Sequence, residues 1–261
     1  MHPILINLGF LKIPTYGVMV VLAVLLALWT AKRRADRAGL DGARIFDLSL
    51  WLIIWGFAGS KTLLFIVEAR TYLTHPAEIL GILRAGGVFV GGLIGAIIAA
   101  VVLLKKYGLP FLPTADVLMP SVSLGQAIGR IGCLSAGCCW GGRCNLPWAI
   151  TYTSPIAHEN VGTPLGVPLH PFPVYAMIYN FSLYLVLARM YKKGVTAGRV
   201  LEAYLIGYGT GRFLLEFTRG DAVRGFVFHY HGMLSTSQLV SIIMVLAGAT
   251  LHVWLNRRAR A

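Results

Sequence analysis

Five ionisable side chains lie inside, or at the edge of, stretches otherwise apolar enough to sit in a membrane. They are Lys61 in GFAGSKTLLF, Arg130 in GRIG, and Arg212, Glu216 and Arg219 in YGTGRFLLEFTRGD. Ionisable groups at that depth are costly and face a polar interior. The i,i+4 spacing of Arg212 and Glu216 puts them on one helix face, where an internal ion pair is the plainest reading. One carboxylate does not neutralise four cations. A net cationic pocket in a bilayer selects an anion, and the abundant anion there is a lipid phosphate. Arginine's planar fork suits phosphate oxygens. These residues alone point to phospholipid headgroup binding.

The stretch GRIGCLSAGCCWG, residues 129–141, adds Cys133, Cys138 and Cys139 beside Arg130, with Cys144 just beyond. Four readings of the thiols stand open. They form a disulfide, Cys133–Cys138 or Cys139–Cys144; they pack as small apolar groups; they take part in the lipid site; or they bind a metal. A bridge between the neighbours Cys138 and Cys139 is strained. No histidine pair at ligand spacing joins them, so no metal and no cofactor is expected. Tyr16 in PTYGVMV opens one apolar run and His170 in LHPFPVY precedes another. Their plain readings are an interface anchor and a loop histidine.

The elements that must position these groups follow from composition. Of 261 residues, 57% are hydrophobic and 13% charged, with a mean hydropathy of +0.71. Soluble domains carry about 25% charged residues. The chain reads as an all-α polytopic membrane protein, one integral domain over residues 1–261. Apolar runs lie near 14–31, 46–67, 87–104, 114–138, 173–191, 200–218 and 234–255. Each is long enough to approach a bilayer span and must be helical, because backbone amides in lipid are satisfied within their own segment.

The net charge of +13 does not mark a nucleic-acid partner. Basic residues cluster after the first, third, fifth and seventh runs, as in Lys32, Arg33 and Arg34 or Lys105 and Lys106. That pattern predicts an outer N-terminus and a cytoplasmic C-terminus, with attraction to anionic lipid. The first run is not read as a cleavable signal, since its basic cluster follows the apolar stretch. On the outer side, segment 141–172 contains Pro147, Pro155, Pro164, Pro168 and Pro171, which excludes a long helix. Segment 219–233 carries Phe226, Phe228, Tyr230 and two histidines. Both segments are expected to cap a site open to the outer leaflet. Trp140, Trp148, Tyr152 and Phe172 suit the headgroup layer. The pairs Gly91/Gly95, Gly125/Gly129 and Gly207/Gly211 predict close helix packing.

Taken together, these motifs resemble the prolipoprotein diacylglyceryl transferase family over nearly the whole chain. The resemblance rests on PTYGVM, GFAGSK, GGVFVGGLIG, GRIG, HPFPVY and IGYGTGRFLLEFTRGD. It implies a bacterial inner-membrane enzyme that moves the diacylglyceryl group of phosphatidylglycerol onto the lipobox cysteine of a prolipoprotein signal peptide. It further implies essential roles for Tyr16, Arg130, Arg212 and Glu216. His170 and Tyr175 match a further family element. Gly129 and Gly132 of GRIG, with Lys61 and Arg219, would help hold the lipid phosphate. The sequence departs from the family where Cys133, Ala136 and Cys138 replace two asparagines and a glutamate. Lys61 replaces an arginine, Ala176 an acidic residue, and Val90 a histidine often assigned as the base. His170, Tyr16 or an ionised Cys138 would then take the thiol proton. Two other functions fit the same residues: a non-catalytic or transport-type phospholipid-binding paralogue, and a membrane thiol–disulfide oxidoreductase.

Overall fold

A computed structural model describes residues 2–8, 12–74, 81–82, 86–221 and 234–259. Most of them are helical. A short antiparallel hairpin, β1 (Ile4–Asn7) with β2 (Lys12–Pro14), leads into α1 (Thr15–Arg37). Then follow α2 (Gly42–Val67), α3 (Ala69–Thr74), α4 (Phe89–Tyr107) and α5 (Phe111–Ala136). A loop holds β3 (Ile150–Thr151), α6 (Pro155–Val161) and β4 (Pro168–Leu169), with β3 and β4 antiparallel. The chain continues through α7 (Phe172–Lys192), α8 (Arg199–Leu215), a 3-10 turn at Glu216–Thr218, and α9 (Thr236–Arg258).

Five helices are long and apolar enough to cross a membrane: α1, α2, α4, α5 and α9. Their outward faces are lipid-like, with Trp29, Trp55, Phe57 and Ile98 each more than half exposed. Such a surface would not persist in water. The helices α7 and α8 coincide with the other two expected spans but are not in that set. α8 has 17 residues and carries Glu202 and Arg212. α7 gives positions to Tyr175, Tyr179, Asn180 and Tyr184. Polar groups on these helices meet other helices: Ser123 donates to the Asn180 carbonyl (2.8 Å) and Gln126 to the Tyr204 hydroxyl (3.0 Å).

The chain divides into two compact units, Met1–Thr30 with Ala115–Ala261, and Ala31–Thr114. In the smaller unit, α2 and α4 pack backbone to backbone. A Cβ on Gly59 would strike the Gly91 carbonyl, and one on Gly95 would strike the Trp55 carbonyl. Asp41 caps α2, accepting from the amides of Ala43 (3.0 Å) and Arg44 (3.1 Å). α4 ends at Gly108, whose φ of 63° is the left-handed cap that glycine supplies at low cost.

In the larger unit, α8 is packed on two sides. Gly207 faces Leu183 and Gly211 faces the Tyr179 ring, both on α7; Gly209 faces Ser241 of α9. Gly209 thus joins the expected Gly207/Gly211 pair. The start of α8 is capped from another helix. Buried Asp116 of α5 accepts from Gly198 N (2.6 Å) and Leu201 N (2.8 Å), satisfying donors a helix start leaves open. Ser235 and Gln238 form a capping box at α9. A core of Leu183, Leu187, Val200 and Tyr204 joins α7 to α8.

Candidate functional site

Three guanidinium groups converge on one aromatic ring. The Cζ atoms of Arg130, Arg212 and Arg219 lie 5.4, 5.6 and 5.3 Å from the Phe172 ring centre. Three different segments deliver them: the last turns of α5, the end of α8, and the residue after the 3-10 turn. Phe172 opens α7 and is fully buried. This corrects the expectation that Phe172 lies in the headgroup layer. Its ring is the common face for three cations, which an aromatic quadrupole attracts most strongly once water is excluded. Tyr152 is likewise fully buried, whereas Trp148 remains exposed.

The carboxylates near these cations number two among the described residues. Glu216, buried at 2% exposure, pairs with Arg212 at 2.5 Å and lies 3.9 Å from Arg219. Asp221 forks onto Arg219, accepting from Nε (2.7 Å) and Nη2 (2.6 Å). Burial works against the charge on Arg219, but the hydrogen bonds and charge of Asp221 outweigh it and push its pKa up. The single-carboxylate count is therefore corrected: Asp221 is the second. Arg212 also donates to Ser237 Oγ of α9 (2.8 Å). No described carboxylate pairs with Arg130. Asp221, Ser237 and Phe172 were missed as site residues. The signal for Asp221 lies in the sequence, two places after Arg219; those for Ser237 and Phe172 are purely spatial.

Backbone hydrogen bonds fix the wall of this site. Gly142 N donates to Thr218 O (2.9 Å), His170 N to Gly142 O (2.9 Å), and Gly220 N to Trp140 O (3.1 Å). Three segments cross at Gly141, where a Cβ would strike the His170 carbonyl and lie 2.8 Å from Thr218 O. This crossing sets Arg219 and His170 beside the turn that follows α5. The His170 Nδ1 lies 3.4 Å from the Tyr175 hydroxyl, which accepts from Trp148 Nε1 (2.7 Å).

Tyr16 is 45% exposed, at the start of α1. It borders α5: a Cβ on Gly132 would come within 3.2 Å of its ring. Gly129, by contrast, has nothing within 4 Å of where a Cβ would stand. The close packing expected for Gly125/Gly129 is thus absent at Gly129, where there is open space. Lys61 lies in the smaller unit, where it donates to Ile82 O (2.9 Å) and sits over Phe57. Val90 lies in α4. Residues 222–233, including Phe226, Phe228, Tyr230 and both loop histidines, fall outside the described residues.

All four cysteines are free, so neither Cys133–Cys138 nor Cys139–Cys144 is bridged. The sulfurs of Cys133, Cys138 and Cys139 lie within 4.8 Å of one another. Hydrogen bonds from Cys133 and Cys138, and then the charges of Arg130 and Arg219, pull the Cys139 thiol down. Cys138 Sγ donates to the Cys133 carbonyl (3.7 Å).

Fold and site define a multi-pass membrane protein with clustered, half-buried arginines on an aromatic platform. The family model for Prolipoprotein diacylglyceryl transferase matches residues 3–254. A phosphatidylglycerol–prolipoprotein diacylglyceryl transferase of Clostridium tetani is 39% identical over 249 residues, covering 95% of each chain. One of Clostridium perfringens is 34% identical, covering 93% of this chain and 91% of its own. One of Vibrio atlanticus is 33% identical over 98% of this chain and 91% of its own. The chain belongs to the prolipoprotein diacylglyceryl transferase family, a family of transferase enzymes.

Proposed function

We propose that the protein transfers the diacylglyceryl group of phosphatidylglycerol to the thiol of a prolipoprotein lipobox cysteine, at the outer leaflet of the bacterial inner membrane. In this reading seven helices span the bilayer, with the N-terminus outside and the C-terminus in the cytoplasm. Residues 1–261 act as one integral domain, and loops 141–172 and 219–233 cap the site. The observation that carries the reading is Arg130: a half-buried arginine over the Phe172 ring with no described carboxylate partner.

The chemistry makes two demands. The acceptor must lose its proton, because the thiolate is the nucleophile. The thiolate sulfur then attacks the glycerol carbon that bears the phosphate. A C–S bond forms, the C–O bond breaks, and the electron pair leaves with glycerol phosphate. Charge growing on that oxygen is stabilised by fixed cations. Arg130 supplies the unpaired cation, and Gly129 and Gly132 let the headgroup approach. Arg212 and Arg219 complete the field, oriented by Glu216 and Asp221. His170, Tyr16 or an ionised Cys138 takes the proton of the acceptor thiol.

The test is Arg130→Ala in membranes supplied with phosphatidylglycerol labelled in its acyl chains and a lipobox peptide. The expected result is a fall in transfer of about 10²–10³-fold, the range for losing one fixed donor to a developing charge. Unchanged transfer overturns the reading. Lipid binding without glycerol phosphate release in the parent chain would favour the non-catalytic alternative.

A further inference from the structure

We propose that Cys133, Cys138 and Cys139 form a three-coordinate site for one soft, thiophilic cation, Cu(I). The lipid-phosphate role assigned to Arg130 neither requires nor uses this site. The sulfurs lie within 4.8 Å of one another, Cys133 on the last turn of α5 and Cys138 and Cys139 in the segment just after it. An ion about 2.3 Å from each of three sulfurs holds them about 4 Å apart, so small side-chain rotations complete the geometry.

The turn is built to hold them there. Gly137 and Cys139 both take left-handed backbone conformations, at φ 77° and 56°. Cys139 is the one non-glycine residue with positive φ among the described residues. Such a conformation costs about 1–3 kcal/mol and persists where the surroundings impose it. Those surroundings come from the outer loop. Thr163 Oγ1 donates to Gly137 O (2.9 Å), and a Cβ on Gly137 would press Ala157 at 2.8 Å.

Two features outside the thiols point to an anionic cluster. The Tyr152 hydroxyl is fully buried, has no hydrogen-bond partner among the described residues, and its ring borders Gly137. A buried donor without an acceptor is costly, and a metal-bound thiolate is the acceptor it lacks. Arg130 and Arg219 lie near Cys139. Three thiolates around Cu(I) carry a net charge of −2, which the field of nearby guanidinium groups favours. Loading a fully protonated cluster releases three protons, one per sulfur.

Ligand number and softness select the metal. The described His, Cys, Asp and Glu residues offer three ligand atoms here and no fourth. Structural zinc sites close on four ligands. Thiolates alone suit Cu(I).

The full chain, purified in detergent under anaerobic reducing conditions, is titrated with Cu(I) held by a chromogenic chelator. One equivalent per chain is expected to leave the chelator, and X-ray absorption is expected to show three sulfurs at about 2.3 Å. Zn(II) in the same competition is expected to bind at least 100-fold more weakly. Cys144→Ser keeps the site. Cys138→Ser lowers Cu(I) affinity at least 100-fold, as does the variant with Cys133, Cys138 and Cys139 all replaced by serine. Failure to take up one equivalent overturns the proposal, as does a shell of two sulfurs, tighter Zn(II) binding, or dependence on Cys144. The absorption spectrum uses the parent chain, so the proposal can fail even if the triple variant does not fold.

Discussion

The Arg130 guanidinium lies 5.4 Å from the Phe172 ring centre, and no described carboxylate pairs with it. Its two neighbours on that ring, Arg212 and Arg219, are held by Glu216 and Asp221. The cluster therefore has one cation more than it has acids. Arg130→Lys keeps the charge but loses the two-pronged fork that matches phosphate oxygens. Transfer is expected to fall about tenfold, less than for Arg130→Ala, with the loss mainly in KM for phosphatidylglycerol. Initial rates across a lipid titration check this.

Phe172→Leu removes the ring shared by three cations while keeping an apolar side chain. Cation–π contacts are worth about 0.5–2 kcal/mol each, so a stability loss of about 2 kcal/mol is expected. The arginines also lose their common plane, so transfer should drop at temperatures where the variant is fully folded. Parallel thermal unfolding in detergent and transfer assays separate the two effects.

Asp116 closes the start of α8 with two hydrogen bonds. Asp116→Ala is expected to cost about 1–2 kcal/mol, as for other lost caps, and Asp116→Asn, which keeps one of the two acceptor oxygens, to recover only part of it. Thermal midpoints of the three proteins test this. Equal midpoints for the alanine and parent chains would count against the capping role.

Two glycines make opposite forecasts. Gly59→Val drives a side chain into the Gly91 carbonyl and should unseat α2 from α4, costing several kcal/mol or folding altogether. Gly129→Ala meets no atom within 4 Å and should leave stability unchanged within about 0.5 kcal/mol. Gly129→Leu fills the open position at Gly129, proposed to admit the headgroup, and should depress transfer. Proteolysis resistance and midpoints read the first two, and transfer rates the third.

What the sequence determined by itself is whatever depends on local pattern. Apolar runs must be helical in lipid, and the helix bounds follow them closely, as where the run near 87–104 becomes Phe89–Tyr107. The i,i+4 pair Arg212–Glu216 follows from helix pitch. The motifs from Tyr16 to Asp221 carried the family. Only the tertiary structure decided which distant groups meet. Phe172 sits 40 or more positions from Arg130, Arg212 and Arg219, and no local rule reveals that three cations share its ring. Gly129 and Gly91 stand in the same spacing pattern, yet one opens space and the other packs on Gly59. The i,i+4 spacing fixes a face, but which helix that face meets is settled by packing of the whole unit. The cysteines show the same division. Their spacing left four readings open, and the left-handed turn at Gly137 and Cys139, pinned by Thr163 and Ala157, gathered three sulfurs together.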